Sequence, residues 1–231
     1  MGTYELVPQL PGSALALSEV RLSEGESHEL GRPDDDSLLY VIDGSGVLAV
    51  NGATWPVAAG AAGLLLSGER GRLEAVEGRV AAIVATVGPG VDLHAPLGPR
   101  NAVERLNHAE SEQATGARSF QILLGPHNGS TRATLFAGYI PPGKAPWHYH
   151  LYDEIVWVPE GPGRLHLGDD TTELGPGAAF RLRPRQVHIV ENTSDSHELT
   201  IIGVFTPAGS PSAAFLMPAS IRARSMLVAS P

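Results

Sequence analysis

His148 and His150 stand two residues apart, and Glu154 follows four positions later across a short turn. On an extended segment, side chains at i and i+2 point to the same face, so both imidazoles aim one way. The next strand can bring Glu154 back to that face. Two imidazoles and a carboxylate converging on one interior make an open site for a divalent first-row metal. The chain has no cysteine, so thiolate ligation, disulfide staples and a cysteine nucleophile are excluded, and any metal must sit on His, Asp or Glu.

The elements that position these residues read as strands. Short runs rich in Val, Leu, Ile and aromatics recur at 38–42, 47–50, 79–87, 133–140, 155–158, 164–167, 179–182 and 199–205, bounded by Gly, Pro, Asn or Asp. The 27 Gly and 19 Pro among 231 residues fall between these runs as turn punctuation. One helical signal stands out, at 100–111. A shift of 117 positions lays 40–50 on 157–167, placing Gly44 on Gly161 and Gly46 on Gly163, and without a gap Gly60 falls on Gly177. A duplicated β-domain is the simplest account, with a strand, a tight Gly-x-Gly turn and a second strand in each copy.

The second copy resembles the cupin superfamily. Its first motif, G-x5-H-x-H-x3/4-E-x6-G, is matched by Gly143, His148, His150, Glu154 and Gly161, with one residue fewer before His148. Its second, G-x5-P-x-G-x2-H-x3-N, is approached by Gly177, Pro184, His188 and Asn192. There Gln186 stands near the place of the interior glycine, and the Pro-to-His gap is one shorter. The resemblance implies an all-β chain of two tandem cupin (double-stranded β-helix, jelly-roll) barrels joined by a short, partly helical connector. The barrels are expected at 1–90 and 118–231, with the connector at 91–117. It also implies metal ligation by His148, His150, Glu154 and His188. The 117-residue offset places Gly31, Pro33, Ser37 and Gly71 at those four positions of the first copy, which is therefore expected to be metal-free. One divalent metal per chain is expected, Mn or Fe by preference, with Zn or Ni as alternatives.

Other residues receive structural expectations. His28 and the run Asp34, Asp35 and Asp36 lie near the first-copy positions, and the acidic run after a proline is expected as a solvated turn. His166, Arg164, Arg181 and Arg183 alternate with Leu165, Leu167, Phe180 and Leu182, and the polar set is assigned to the outer face or domain interface. Trp147 and Tyr149 are expected to point away from the metal into the inter-domain contact, and Tyr152 to sit at a solvated rim. His94, His108, His127 and His197 carry no functional expectation.

With 25 acidic against 16 basic residues and a net charge of −9, the chain would repel a phosphate backbone, so nucleic acid is not an expected partner. No basic region followed by an apolar core opens the sequence, and no apolar window approaches about 18 residues, so neither a signal peptide nor a membrane span is expected. The expected setting is cytoplasmic, as a monomer or homodimer acting on a small molecule. The resemblance implies an enzyme for a small, oxygen-rich chelating substrate, by dioxygenase or enolate-type isomerase or cyclase chemistry with Glu154 as a base. Alternatives are a hydrolase like ureidoglycine aminohydrolase and a non-enzymatic metal and small-ligand binder. The Pro/Ser/Ala-rich tail from Thr206, apolar at 215–217 and 226–228, is expected to wrap over a barrel or a neighbouring subunit.

Overall fold

The computed structural model describes residues 1–107, 111–114 and 117–216. His108, the last turn of the expected helix and the tail from Met217 onward lie outside the described residues. The first half carries β1 (Gly2–Val7), β2 (Leu15–Leu22), β3 (Ser27–Leu30), β4 (Asp36–Val50), β5 (Ala53–Ala58), β6 (Ala61–Leu65), β7 (Gly71–Glu74), β8 (Val80–Val87) and β9 (Val103–Arg105). The second carries β10 (Glu112–Gln113), β11 (Ser119–Leu124), β12 (Thr134–Ile140), β13 (Gly143–Lys144), β14 (His148–His150), β15 (Asp153–Trp157) and β16 (Gly163–Leu167). It continues with β17 (Asp170–Leu174), β18 (Ala179–Leu182), β19 (His188–Asn192), β20 (Leu199–Thr206) and β21 (Ala214–Leu216). Among the described residues no helix is long and apolar enough to cross a membrane.

Both halves follow one strand plan. The order β1-β2-β8-β4-β6 in the first repeats as β11-β12-β20-β15-β18 in the second. At an offset of 117, β1 falls on β11, and β4 falls on the span from the start of β15 to the end of β16. These are two tandem jelly-roll barrels. They differ where the sequence reading placed a Gly-x-Gly turn in both. In the second, Pro159 and Pro162 interrupt the ladder between β15 and β16, because proline has no N–H to donate. In the first there is no turn: β4 runs unbroken for 15 residues, with a register shift between Val41 and Asp43. Gly44 takes φ +72 within that strand, and a Cβ there would lie 1.9 Å from the Arg79 carbonyl oxygen.

The helix expected at 100–111 does not form over its described residues. Val103–Arg105 instead pairs with Ala61–Gly63 on the open edge of β6, and Leu64 N–H donates to the Ala102 carbonyl. A helix of that length is marginal alone, whereas an unpaired sheet edge offers backbone bonds at once. Asp36 is also not a solvated turn residue. It opens β4 fully buried and accepts a bond from Ser67 N–H, while Asp34 remains exposed.

The barrels meet sheet against sheet. Leu15, Leu17, Leu38, Ile83 and Ala85 of the first pack with Leu135, Ala137, Ile155, Ile202 and Val204 of the second in one buried cluster. At its rim Arg181 donates to Asp153 Oδ2 at 2.7 Å, to Ser13 Oγ, and to the Pro8 and Leu15 carbonyls at 3.0 and 2.8 Å. Ser13 in turn donates to Asp153. Arg181→Ala would leave Asp153 buried without its countercharge. A loss of about 3–5 kcal/mol in urea unfolding is expected, whereas Asp153→Leu with Arg181→Met, which removes both charges, should recover most of it.

Candidate metal centre

Strand alternation sets the site. Along β15, Asp153, Ile155 and Trp157 face the first barrel, while Glu154 and Val156 face the interior of their own. The β14 residues His148 and His150 share one face, and His148 pairs across the ladder with His188, which opens β19. The four ligand candidates named from sequence are all buried, and all line one cavity of about 70 Å³. The His148 and His188 rings lie 4.4 Å apart and those of His150 and His188 4.9 Å apart.

Each imidazole is held in one tautomer by the backbone. His148 Nδ1–H donates to the Pro146 carbonyl at 2.9 Å, His150 Nδ1–H to Tyr152 at 3.0 Å, and His188 Nδ1–H to Gln186 at 2.8 Å. All three therefore present Nε2 as a lone pair, the form a metal requires. Burial, then the neighbouring His188 and Arg118, pushes His148 down to about 3. Burial likewise takes His188 down to about 4, against the hydrogen bond to Gln186.

The donor set fits a divalent cation. His150 Nε2 lies 2.8 Å from Glu154 Oε2, yet it is buried with no hydrogen-bond partner in acceptable geometry. A lone pair and a carboxylate oxygen in contact repel each other unless a positive charge serves both. Two donors bound at about 2.1 Å to one ion stand near this separation. Among the described residues no group of three or more His, Asp or Glu donors is drawn onto one common point. The imidazoles present the tautomer that a metal requires, and Arg118 Nη1 donates to His148 Nε2 at 3.3 Å.

Arg118 is the residue the sequence reading missed. Burial lowers its pKa, while Tyr152 and Glu154 oppose that shift. Its signal was parity: Arg118 precedes Phe120 by two, and both line the cavity. Gly203 was also missed. A Cβ there would come within 2.3 Å of the Phe136 ring and 3.0 Å of Glu154 Oε1. Tyr152 is no rim residue. Its buried ring stacks on His150 at 4.0 Å and on Phe205, its hydroxyl donates to the Pro211 carbonyl, and burial followed by the Glu154 charge raises its pKa. Tyr149 and Trp147 do not enter the inter-domain contact. Tyr149 stacks on Phe215 of β21, and Trp147 stands edge-on to His166. His166 is buried on the barrel's other face, donating to Glu191 at 2.6 Å and accepting from Thr171. Arg164 is partly exposed and pairs with Glu173, Arg183 is exposed, and Arg181 is in the interface. His28 is on β3, paired with Leu73. Asn192 spends its amide on the Ile140 and His197 carbonyls, which ties loops together.

The turn before His188 closes without the motif glycine. Arg185 itself adopts the left-handed conformation, φ +64, and its N–H donates to the His150 carbonyl at 2.7 Å. Gln186 accepts from Arg183 N–H through its side chain.

Residues 137–205 match the family model of the cupin domain. No curated protein matches the chain. Among solved structures, oxalate decarboxylase from Bacillus subtilis at pH 4.6 is similar over 94% of this chain and 75% of its own, at 16% identity and a TM-score of 0.70. A variant of salicylate 1,2-dioxygenase from Pseudoaminobacter salicylatoxidans is similar over 88% and 76%, at 13% identity and 0.70. A cupin 2 conserved barrel domain protein from Leptotrichia buccalis is similar over 89% and 88%, at 13% identity and 0.63. These likenesses establish the fold as cupin barrels in tandem.

Two outcomes follow from this geometry. In chelator-treated protein the unfolded histidines titrate near 6.5, while folded His148 and His188 remain neutral to about 3 and about 4. Between those values the unfolded chain binds more protons, so stability falls as pH drops below about 6.5. The slope is up to about 1.4 kcal/mol per pH unit for each histidine, and urea midpoints for His148→Gln/His188→Gln should flatten in that window. Arg185→Gly should raise stability by roughly 0.5–1 kcal/mol, the left-handed penalty of an L-residue less the added chain entropy of glycine.

Proposed function

We propose that the second barrel is a mononuclear divalent-metal centre that activates a small, oxygen-rich chelating substrate, and that the first is a metal-free copy supporting it. The observation that carries this reading is the set of three buried imidazoles whose Nδ1–H groups are all committed to backbone carbonyls, so that their lone pairs share a cavity with Glu154. His148, His150, His188 and Glu154 would hold the ion. Three neutral nitrogens and one carboxylate, without thiolate, favour Mn or Fe, with Zn or Ni as alternatives. When bound, the metal supplies Lewis-acid stabilisation of a developing enolate or alkoxide and, if redox-active, an electron path to dioxygen.

The chain's own residues do the rest. Glu154 is placed to take a proton, since carboxylate ligation is more labile than imidazole ligation in such a shell. Phe136, Val156, Leu182 and Ile201 are among the residues that line the cavity and give it apolar walls. Tyr152 fixes the His150 ring by stacking. Oxalate and salicylate, named for two of the similar structures, are both small oxygen chelators, which agrees with dioxygenase or enolate-type chemistry. At the first barrel's equivalent positions stand Gly31, Pro33, Ser37 and Gly71, and its interior is filled by residues such as Leu39, Leu48, Leu65 and Leu73.

Elemental analysis of purified protein should find one metal per chain, lost in His148→Ala and His188→Ala. The metal-loaded protein should then consume oxygen or convert substrate with at least one member of a panel of small chelators. Glu154→Gln should retain the metal while losing turnover by 100-fold or more, on the order of general-base contributions. Full turnover with metal retained removes the base role. A loaded protein inert to every chelator is a binder and overturns the enzymatic reading.

A further inference from the structure

We infer that the seam between the barrels holds a second ligand site, separate from the metal cavity, in which Tyr40 and Glu160 bind a small hydroxylated aliphatic amine. Among the described residues none lines both cavities, so this inference stands apart from the metal-centre reading.

The site begins with a departure between the two copies. Pro159 and Pro162 end the ladder between β15 and β16, whereas the equivalent residues 42–45 of the first barrel run inside the continuous strand β4. Freed from the ladder, the segment from Pro159 to Pro162 lines one side of a cavity of about 550 Å³. Residues between Asn192 and Thr200, and Tyr40 of the first barrel, complete the lining. That volume lies in the range of sites that take a whole small molecule, and a boundary between domains is a common place for one.

The lining chooses the ligand. Tyr40 packs in the cluster between the barrels and is only 7% exposed, yet among the described residues its hydroxyl has no hydrogen-bond partner. Burial, then the neighbouring Tyr139, pushes the phenol up to about 12, so it stays protonated and can both donate and accept. A ligand hydroxyl meets that need, since a buried polar group gains most from a partner that its own chain does not supply. Glu160 stands exposed on the loop, and Glu198 adds a second carboxylate to the lining beside the imidazole of His197. Among the described residues no lysine or arginine lines the cavity, so an anion is repelled and an ammonium drawn in. Pro159, Pro162 and Leu199 add apolar surface for an aliphatic stem.

The test titrates full-length protein with 6-aminohexan-1-ol, hexane-1,6-diol and 6-hydroxyhexanoate, which share a stem and differ in charge, by ligand-observed NMR at equal ionic strength. Wild type is expected to bind the amine about 2- to 5-fold more tightly than the diol, the range of an exposed ion pair, and the hydroxy acid least. Glu160→Gln should lose most of the preference for the amine over the diol. Tyr40→Phe should weaken both by about 3- to 10-fold, the range of a neutral hydrogen bond, with an unchanged urea midpoint. His148→Ala, which alters the metal cavity, should bind the amine as wild type does. A wild type that takes up no amine, or that binds the diol or the hydroxy acid as tightly, overturns the inference. So does an amine affinity left unchanged by either Tyr40→Phe or Glu160→Gln, or one lost in His148→Ala, which would put the amine in the metal cavity.

Discussion

The two-residue period of β15 is the constraint on which the rest depends. One strand serves two cores: Ile155 and Trp157 belong to the cluster between the barrels, while Val156 belongs to the cluster inside the second. Glu154 shares the inward parity and Asp153 the outward one. A slip of one residue would therefore exchange the cavity carboxylate for an interface carboxylate and bury both in the wrong place. The first barrel prevents such a slip by holding the outward set. Arg181 and Ser13 grip Asp153, one residue from Glu154, and the apolar sheet of the first barrel covers Ile155 and Trp157. The first barrel thus acts on the candidate site through the back of the strand that carries Glu154.

Burying three histidines together would be unfavourable if any were charged, and the structure answers with backbone carbonyls. Pro146 and Gln186 each lie two residues before a ligand, and Tyr152 two residues after one. Each carbonyl comes from a residue between strands, where no ladder partner claims it. The same irregular segments that break the sheet therefore fix the tautomers. In the first barrel these demands are gone. A Cβ on Gly71 would lie 2.2 Å from the Ala49 carbonyl and 2.8 Å from Leu65 Cδ2, so chain and leucine side chains occupy the space that His188 holds open in the second. A filled interior and a hollow, polar one are alternative uses of a single strand plan, and the choice is made at four positions.

That His148, His150, Glu154 and His188 share one cavity was legible because their spacing is a property of strands and short turns, which sequence displays directly. The tandem architecture was legible through a constant offset, and it extends well beyond the glycines that revealed it. What escaped notice depended on tertiary context. The 100–111 segment has helical composition, but the unpaired edge of β6 claims its backbone. Gly44 reads as a turn in isolation, yet Arg79 packs so close that glycine is needed within a continuous strand. Asp36 reads as a surface residue beside Asp34, and the Ser67 N–H together with the Arg132 guanidinium makes its burial tolerable. Arg118 sits 30 residues before His148, so its parity with Phe120 could mark an inward face but not the contact it makes through the barrel interior. Arg185 shows that a motif can lose its glycine and keep its turn when one residue absorbs the left-handed strain.

The last strand separates the tuning of ligand size from the donors. Among the described residues β21 pairs with β14 alone, placing Leu216 opposite His148 and Ala214 opposite His150, and Pro211 and Ala214 form part of the cavity wall. Its other ties are the Tyr149–Phe215 stack and the bond from the Tyr152 hydroxyl to the Pro211 carbonyl. The histidines are thus held by sheet ladders and loop carbonyls, while one wall of the space they face is held by a three-residue edge strand. Substitutions in that strand can reshape the cavity without disturbing a tautomer or a ligand.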